Sequence, residues 1–473
     1  CILRLHQCNM HVAQQQSALD LRGAMQKSNC FRDFIKYSSL NVLGMIGLSC
    51  YILADTFFVS KGLGTNGLAA LNLAIPIYSF IHGSGLMIGI GGGTKYSIQK
   101  NYEIPQNLHA IFTNSIYFAT ILAVFFVMVG LFFTEPIVAL FGADATIFAM
   151  TRTYIQVILL FAPAFLANNV LLSFVRNDGA PQLSMAAMIA GSLSNVVLDY
   201  LFIFPWKMGI FGAAFATGLS PILSMLVLSI HFIRKNNHFR FLKCRCSRKL
   251  FAGIFLNGAP SLVAELSSGI VMIVFNAILL SLQGNVGVAA YGVIANLSLV
   301  VIAIYTGIAQ GIQPIMSNNF GAGNLKNVHS ILKYALSAML ILSGIIYTGV
   351  FWGASPIAAI FNSEQNALLQ TIAMQGLKLY FIACPFVGFN IMISVYFTST
   401  EYAGPAHVIS LLRGFFIIIP MAFLLSNMAG MAGIWCAFPA TECIVMLLSF
   451  VFYMHCKKRR IHSEKRDFAF REV

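Results

Sequence analysis

Long apolar stretches dominate this sequence and leave few folds open to it. We count about twelve stretches that are each long enough to cross a bilayer as a helix, which needs roughly 20 apolar residues. Hydrophobic residues make up 58% of the chain and charged residues 9%, which is far from a soluble globular composition. No strand-like alternation argues for a barrel. The sequence therefore predicts an all-α membrane protein with twelve transmembrane helices, at residues 37–59, 68–97, 108–133, 150–175, 184–205, 209–233, 251–280, 286–316, 329–352, 366–398, 406–426 and 430–455.

The two halves of the chain carry the same landmarks about 220 residues apart. Each half holds six of the predicted spans, and because six is even, both copies enter the membrane in the same direction. The sequence thus predicts two six-helix lobes related by a pseudo-two-fold axis along the membrane normal, a plan common among transporters. The matched landmarks are Gly67 to Ala70 with Gly287 to Ala290, Gly91 with Gly311, Pro163 and Asn168 with Pro385 and Asn390, and Gly209 and Gly212 with Gly430 and Gly433.

The spans and the charges divide the chain into five parts. A polar N-terminal tail precedes the first span, and its first 30 residues contain no apolar signal-peptide core and stay outside the fold prediction. A basic linker joins the two lobes, and a basic tail follows the last span. The predicted parts are the tail 1–34, the N-lobe 35–233, the linker 234–250, the C-lobe 251–455 and the tail 456–473.

Lysine and arginine are distributed unevenly over the connections between spans. Five lie before the first span, seven between Arg234 and Lys249, and seven after residue 456, whereas the opposite side holds only Lys61, Arg152 and Lys207. The positive-inside rule then predicts a multi-pass protein of the cell's inner (plasma) membrane with both termini in the cytoplasm. We interpret the basic linker as a topology determinant near anionic lipid, so no nucleic-acid partner is expected despite the net charge of +14.

The sequence lacks patterns that would assign a metal, a nucleotide or an enzyme activity. Ten cysteines form no recognisable metal or disulfide framework. The glycines that close the second span, before Lys95, do not have the spacing of a nucleotide-binding loop. No span carries a histidine cluster, and His82 and His407 are isolated. We therefore predict a protein that is not an enzyme and needs no cofactor.

Four acidic residues fall inside predicted spans: Asp55, Asp199, Glu265 and Glu442. A carboxylate at membrane depth is costly, so such a residue is by default a candidate ion, proton or substrate site. Asn195 lies one helical turn before Asp199, so both side chains project from one face of the span. The alternative for these residues is that they only tie helices together.

Several motifs resemble those of multidrug and toxic compound extrusion (MATE) transporters, in particular the bacterial multidrug-efflux and DinF-like branch. The resemblance covers residues 35 to 455, and the segment from Gln310 to Asn324 is the most specific part. It implies a twelve-helix antiporter, functional as a monomer, that expels organic cations and amphipathic drugs in exchange for protons or sodium ions. The other motifs are Ala54-Asp55-Thr56, Gly62-Leu63-Gly64, Leu68 to Leu71, Arg176 to Gly179 and Gly209 to Ala214.

The resemblance also implies where the coupling ion binds. Asp55, Asn195 and Asp199 are similar to the polar N-lobe cluster of DinF-like members, with Asn168 or Asn169 as a fourth partner. Glu265 lies where NorM-like members keep a C-lobe acid, so the resemblance leaves two coupling sites open, and a sodium ion could bind at Asp55, Asp199 or Glu265. The first span contains no proline, which puts the proline-centred bend of some DinF-like members in doubt.

Three residues are candidates for the substrate cleft. Gln310 and Gln313 of span 8 are expected to present amides toward the cleft between the lobes. Arg413 resembles a family arginine in span 11, and three roles are open to it: neutralising a C-lobe acid, binding a lipid phosphate, or extending toward the cytoplasmic interface. Glu442 is expected to face a polar loop or to pair with a partner that the sequence does not identify.

Three other functions remain to be weighed against drug export. A flippase for lipid-linked precursors would belong to the same superfamily, but it favours a cavity lined with cations, and lysine and arginine are nearly absent from the spans. A membrane-embedded enzyme is disfavoured by the isolated histidines. A channel is disfavoured because a duplicated two-lobe plan suits alternating access better than a fixed pore.

Overall fold

The computed structural model describes residues 2–469 apart from 103, 104, 236, 363 and 364, and it describes side chains from residue 30 to residue 458 apart from those positions and 105. The described residues are helical almost throughout and contain no β-strand, which confirms the all-α prediction. The helices are α1 (Ile2–Gln99), α2 (Pro105–Phe132), α3 (Thr134–Leu140), α4 (Phe148–Leu160), α5 (Ala162–Asn177), α6 (Pro181–Ile203), α7 (Gly209–Ile233), α8 (Arg248–Gly321), α9 (Leu325–Phe361), α10 (Ala367–Tyr380), α11 (Cys384–Ser399), α12 (Ala403–Leu411) and α13 (Ile418–Ala469).

Two of these helical segments each hold two membrane spans separated by a sharp reversal. The reversal in α1 is at Gly64 (φ 69°, ψ −160°), and that in α8 is at Gly284 (φ 60°, ψ −149°). This backbone region is open to glycine almost alone. The two glycines are 220 residues apart, so the duplication seen in the sequence extends to the backbone conformation between the first two spans of each lobe. A similar break at Gly430 divides α13.

The fourth span of each lobe is interrupted near a proline. Helices α4 and α5 meet at Phe161 with a bend of 47°, two residues before Pro163, which lacks a backbone N–H for the helical ladder. In the C-lobe, a short 3-10 helix (Phe381–Ala383) separates α10 from α11 just before Pro385. With each interrupted pair taken as one span, and α1, α8 and the α12–α13 segment as two each, the described residues contain the twelve predicted spans.

Each lobe has its own hydrophobic core, but the lobes exchange the beginnings of their first spans. The N-lobe core runs from Val59 to Phe239 and also takes in Ile254 and Ala259 from the start of α8. The C-lobe core runs from Phe275 to Val445 and also takes in Cys30 and Phe34 from α1. Since apolar burial of this kind stabilises an interface, the two lobes are held together through the start of each lobe's first span.

The linker lies against the N-lobe. The Phe239 side chain is fully buried in the N-lobe core. Thr113 of α2 accepts a hydrogen bond from the backbone N–H of Leu242 (3.2 Å) and donates one to its carbonyl oxygen (3.0 Å). The Asn114 side chain accepts from the N–H of Ser247 (2.8 Å). The linker is therefore a part of the N-lobe surface up to the residue where α8 begins.

The lobes are in close contact at the end that carries the linker. A Cβ atom added to Gly258 would overlap the carbonyl oxygen of Met87, and one added to Gly311 would lie 2.7 Å from the carbonyl oxygen of Tyr37. At the edge of this contact, the Asn101 side chain donates to the side-chain oxygen of Asn318 (2.8 Å). The structure therefore shows a conformation in which the linker side of the lobe interface is closed.

Candidate functional site

Two acidic side chains meet inside the N-lobe. Asp55 of α1 is 7% exposed and Asp199 of α6 is fully buried, and their carboxyl groups lie close enough to interact directly. Among the described residues, no N–H or O–H group donates to Oδ1 of Asp55 or to either carboxyl oxygen of Asp199. Ionised carboxylates only accept hydrogen bonds, and two of them in contact repel strongly. This pair therefore needs a proton or a cation between its oxygens.

Further oxygen atoms surround the acid pair. Asn195, on the same face of α6 as Asp199, donates weakly to Thr217 Oγ1 of α7 (3.4 Å), while its own Oδ1 has no donor in the described chain. The Tyr154 side chain of α4 lies close to Thr217 and to both acids. Sequence reasoning identified Asp55, Asn195 and Asp199 but missed Tyr154 and Thr217, because a single hydroxyl in an apolar span carries no distinguishing pattern.

The two asparagines of span 4 face different surroundings. Asn169 donates to the carbonyl oxygen of Phe165 (3.1 Å), and its side-chain nitrogen lies 3.4 Å from Nδ1 of His82 in α1. Asn168 has a buried Oδ1 that receives no hydrogen bond from the described residues. Neither asparagine donates to Asp55 or Asp199 here, so the role of a fourth coupling partner stays a prediction.

An aromatic layer separates the N-lobe acids from the C-lobe. The hydroxyl groups of Tyr51 and Tyr78 form a hydrogen bond (2.8 Å), and the Tyr78 ring stacks on that of His82 at 5.7 Å. Tyr51 lies one helical turn before Asp55. Tyr78 lies close to both Asp55 and Glu265, so it is positioned between the acid pair and the other lobe.

Glu265 of α8 lies on the C-lobe side of this layer. Its side chain is half-buried, and its Cβ would be 3.0 Å from a Cβ built at Gly83 of α1. Within the described part of the chain its carboxylate forms no hydrogen bond or ion pair. Glu265 therefore faces the N-lobe across the interface, and the structure does not bring it to Asp55 and Asp199.

The remaining acid inside a predicted span, Glu442, forms an ion pair with Arg413. Nε and one terminal nitrogen of Arg413 donate to the same carboxylate oxygen at 3.0 and 2.8 Å. Asn390 donates to the other oxygen (2.8 Å), and Ser449 donates to Asn390 (3.0 Å). Arg413 belongs to a π-helical turn, Leu412–Phe416. Of the three roles left open for Arg413, its contacts in this conformation match neutralisation of a C-lobe acid. Arg413 is also the partner of Glu442 that the sequence did not identify.

Gln310 and Gln313 lie in the closed part of the lobe interface, at 8% and 2% exposure. Oε1 of Gln310 accepts from Arg176 (2.9 Å). Nε2 of Gln313 donates to Thr94 (3.0 Å), and its Oε1 accepts from Asn177 (3.2 Å). In this conformation the two amides connect span 8 to the N-lobe instead of facing an open cleft.

Asp178, in the connection after α5, holds the linker and the N-lobe together. Its side chain is fully buried and accepts hydrogen bonds from the Tyr96 hydroxyl (2.6 Å) and the backbone N–H of His238 (2.9 Å), with Nε2 of His231 at 2.9 Å. Burial alone would raise its pKa, but the hydrogen bonds from His231, Tyr96 and His238, with the nearby Lys100 charge, lower the pKa of Asp178 to about 2. Asp178 is therefore a permanent anion, unlike a group that exchanges protons near neutral pH.

Solved structures with the same fold are MATE transporters. The chain superposes on a MATE protein in complex with MaL6 with a TM-score of 0.85 and 22% identity, over 92% of this chain and 97% of that one. It superposes on the Vibrio cholerae MATE transporter VcmN with a TM-score of 0.85 and 19% identity, over 92% and 98% of the two chains. A multidrug resistance MATE transporter solved in an outward-facing conformation gives a TM-score of 0.83 at 22% identity, over 92% and 96%. These likenesses establish the two-lobe, twelve-helix fold.

Relatives with curated names are similar along nearly their whole length. The multidrug export protein MepA of Staphylococcus saprophyticus is 26% identical over 432 residues, which covers 91% of this chain and 95% of that protein. MepA of Staphylococcus aureus strain MSSA476 is 24% identical with the same coverage. The sequence model of the MatE family matches residues 42–201 and 260–424, which lie in the two halves. The chain therefore belongs to the MatE family.

Proposed function

We propose that this protein exports cationic or amphipathic drugs across the membrane in exchange for protons or sodium ions. The observation that carries the proposal is the Asp55–Asp199 pair, two acids in contact without a counter-charge inside one lobe. The MepA relatives, which align with 91% of the chain, are named multidrug export proteins, and this supports the substrate class.

The acid pair gives a physical reason for coupling. With no ion bound, two ionised carboxylates in a low-dielectric site repel each other, so one proton or one cation relieves a large unfavourable energy. An ion shifts a conformational equilibrium only if it binds one state better than the other. Asp55 lies on the span whose opposite end, at Tyr37, is packed against Gly311 of span 8. A change at Asp55 therefore acts on a helix that also forms the closed lobe interface.

Both candidate coupling ions suit the chemistry of this cluster. A proton is accepted by either carboxylate. Sodium is a hard cation that prefers oxygen ligands, as other hard cations do, and Asp55, Asp199, Asn195 Oδ1 and Thr217 Oγ1 are all oxygen donors. Glu265 is the candidate for a second coupling site, since its half-buried carboxylate faces the interface without a partner among the described residues.

The same interface offers contacts for organic cations. The stacked rings of Tyr78 and His82 and the negative charge of Glu265 lie on the two sides of one interface. Aromatic faces and carboxylates both attract cations, and aromatic stacking does so with little shape selectivity. We infer that a drug cation binds between these groups when the cleft is open.

Transport by purified protein in proteoliposomes tests the proposed function. Liposomes would be loaded with a fluorescent cationic dye, and proton and sodium gradients would be imposed separately. We expect dye movement against its own gradient under at least one of the two ion gradients, with none in protein-free liposomes. Equal dye flux with and without both gradients would contradict antiport and favour a passive pore. Movement of a fluorescent lipid-linked pyrophosphate in place of the dye would favour the flippase alternative.

We further propose that the linker and both termini face the cytoplasm. Cys246 in the linker is exposed, whereas the sulfur of Cys244 receives a hydrogen bond from Asn114 (3.4 Å). Cys246 is therefore the better probe. In a variant that keeps Cys246 as its only cysteine, a membrane-impermeant maleimide should label inside-out vesicles and leave intact cells unlabelled. Labelling of intact cells would reverse the orientation, and with it the direction of export.

A further inference from the structure

Arg176 is a buried cation without an acidic partner. It lies in the last turn of α5, at the closed lobe interface, and is 3% exposed. One terminal nitrogen donates to two neutral amides, Asn41 Oδ1 of span 1 (2.8 Å) and Gln310 Oε1 of span 8 (2.9 Å). No carboxylate of the described chain forms an ion pair with it. Burying a charge is costly unless it is paired, so this arginine stands out.

One edge of the Arg176 guanidinium is unused. Its Nε is buried and has no hydrogen-bond partner in the described structure. The acid nearest in sequence, Asp178, is engaged by His231 and His238 instead. Ser38 is a second unsatisfied group at this interface: its Oγ is buried without a partner, and it lies one helical turn before Asn41, against Gly311. The negative end of α5 offsets part of the Arg176 charge but leaves the hydrogen-bonding capacity of Nε unfilled.

The free edge has the geometry of an oxyanion site. In arginine, the N–H groups of Nε and of one terminal nitrogen point in parallel and match the two oxygens of a carboxylate or a phosphate. The other terminal nitrogen of Arg176 is fixed by Asn41 and Gln310, so the guanidinium is already oriented. A two-oxygen anion would fill the Nε position and supply the missing counter-charge.

We propose that Arg176 binds the oxyanion of carboxylate- or phosphate-bearing amphipathic molecules when the lobes separate on the linker side. In the present conformation the site is closed between spans 1, 4 and 8, so an anion enters only after Gln310 moves away from Arg176. This inference rests on the proposed export function and widens its substrate class. Zwitterionic compounds then make use of Arg176 through the carboxylate and of the aromatic and acidic groups through the cation.

A matched pair of dyes tests this inference: a zwitterionic rhodamine with a free carboxylate, and its methyl ester, which is a cation only. Export of both would be measured in proteoliposomes of neutral lipid for the unchanged protein, Arg176→Lys and Arg176→Gln. Lysine keeps the charge but loses the two-pronged geometry. We expect the lysine variant to lose about tenfold or more in apparent affinity for the carboxylate dye, the scale of a lost hydrogen bond to a charged group, and to change little for the ester. Arg152→Gln, which alters an exposed ion pair with Glu135, serves as the control.

The outcomes separate this inference from the proposed function. If the unchanged protein exports neither dye, the export proposal fails. If it exports both, and the Arg176 variants change both dyes equally, the oxyanion site is wrong although export stands. If the Arg176 variants misfold, a measurement on the unchanged protein still tests the site. In that protein, 2-naphthoate should inhibit export of the carboxylate dye more than the neutral 2-naphthamide does. Equal inhibition by the two compounds would overturn the oxyanion site.

The source of the anion is distinguished by lipid composition. The dye experiment would be repeated with phosphatidylglycerol in the bilayer. If this lipid competes with the carboxylate dye in the unchanged protein but not in Arg176→Lys, a lipid phosphate also occupies the site. If phosphatidylglycerol does not change how strongly export of the carboxylate dye depends on Arg176, the substrate carboxylate is the ligand. If export of the carboxylate dye does not depend on Arg176 even in neutral lipid, the oxyanion site is wrong, whether the anion would come from the substrate or from a lipid.

Discussion

Replacing Asp55 or Asp199 by Asn is expected to abolish export driven by an ion gradient while leaving folded protein in the membrane. Asparagine is close in size to aspartate and is permanently neutral. Either substitution therefore removes the repulsion within the pair, and with it the energy that a proton or sodium ion would gain by binding. A coupling free energy of typical size corresponds to an effect of about 5- to 150-fold, so gradient-driven export should fall by that factor or to background. The measurement is dye export in proteoliposomes under imposed proton and sodium gradients.

Two matched variants make this result specific to the pair. Asp144→Asn changes an exposed acid whose Oδ1 accepts from the backbone N–H groups of Thr146 and Ile147, and it should export normally. Glu265→Gln changes the acid across the interface, and its export should still respond to a proton gradient even if the variant loses a sodium effect or binds the dye more weakly. If both Asp55→Asn and Asp199→Asn export at the unchanged rate, the coupling site is elsewhere. Equal losses in all four variants would indicate a general effect on charge.

The Asp55–Asp199 pair could be proposed from the sequence because both acids stand out in apolar spans. Their depth, the position of Asn195 one turn before Asp199, and the even number of spans per half follow from spacing alone. The fold was predictable for the same reason: span length is set by bilayer thickness, and the duplication marks equivalent turns, of which Gly64 and Gly284 adopt nearly the same backbone angles.

Contacts between residues that are far apart in the sequence could not be predicted from it. The sequence suggested that Gln310 and Gln313 face a cleft, but which side of the interface is closed depends on the conformation, and a pattern of residues does not encode that choice. In this conformation Gln310 instead orients Arg176. Likewise, nothing in the spacing of Arg413 and Glu442 indicated a pair, because they lie on different spans and spacing does not encode how those spans pack.

The linker illustrates a third kind of limit. Its seven basic residues suggested a topology determinant near anionic lipid, and the sequence prediction set it apart from both lobes. The structure instead buries Phe239 in the N-lobe and fixes the backbone through Thr113 and Asn114. A single aromatic residue between charged ones gives little signal, although it decides where the chain is anchored. The linker is thereby held against the N-lobe as far as Ser247, immediately before α8 begins.

Breaking the Arg413–Glu442 pair is expected to cause a large loss of stability. Both groups are largely buried, at 19% and 2% side-chain exposure, and Asn390 and Ser449 complete the network. Glu442→Ala leaves the guanidinium without its counter-charge and removes one of the two acceptors of the Asn390 amide, which keeps the backbone carbonyl oxygen of residue 442. Removing one partner of a buried pair typically costs about 3–5 kcal/mol. The measurement is unfolding of the detergent-solubilised protein by increasing sodium dodecyl sulfate, followed by helical circular dichroism.

A double variant and a surface pair show whether the charge itself is responsible. Arg413→Met combined with Glu442→Leu removes both charges while keeping similar volume, and because a buried pair often contributes little over apolar residues, we expect much of the lost stability to return. Glu135→Gln, which breaks the exposed pair with Arg152 at 61% and 48% side-chain exposure, should change stability by no more than about 1 kcal/mol. If Glu442→Ala were as mild as Glu135→Gln, Arg413 would have found water or lipid phosphate instead. The interpretation of Arg413 would then return to the lipid-facing roles that its sequence also allowed.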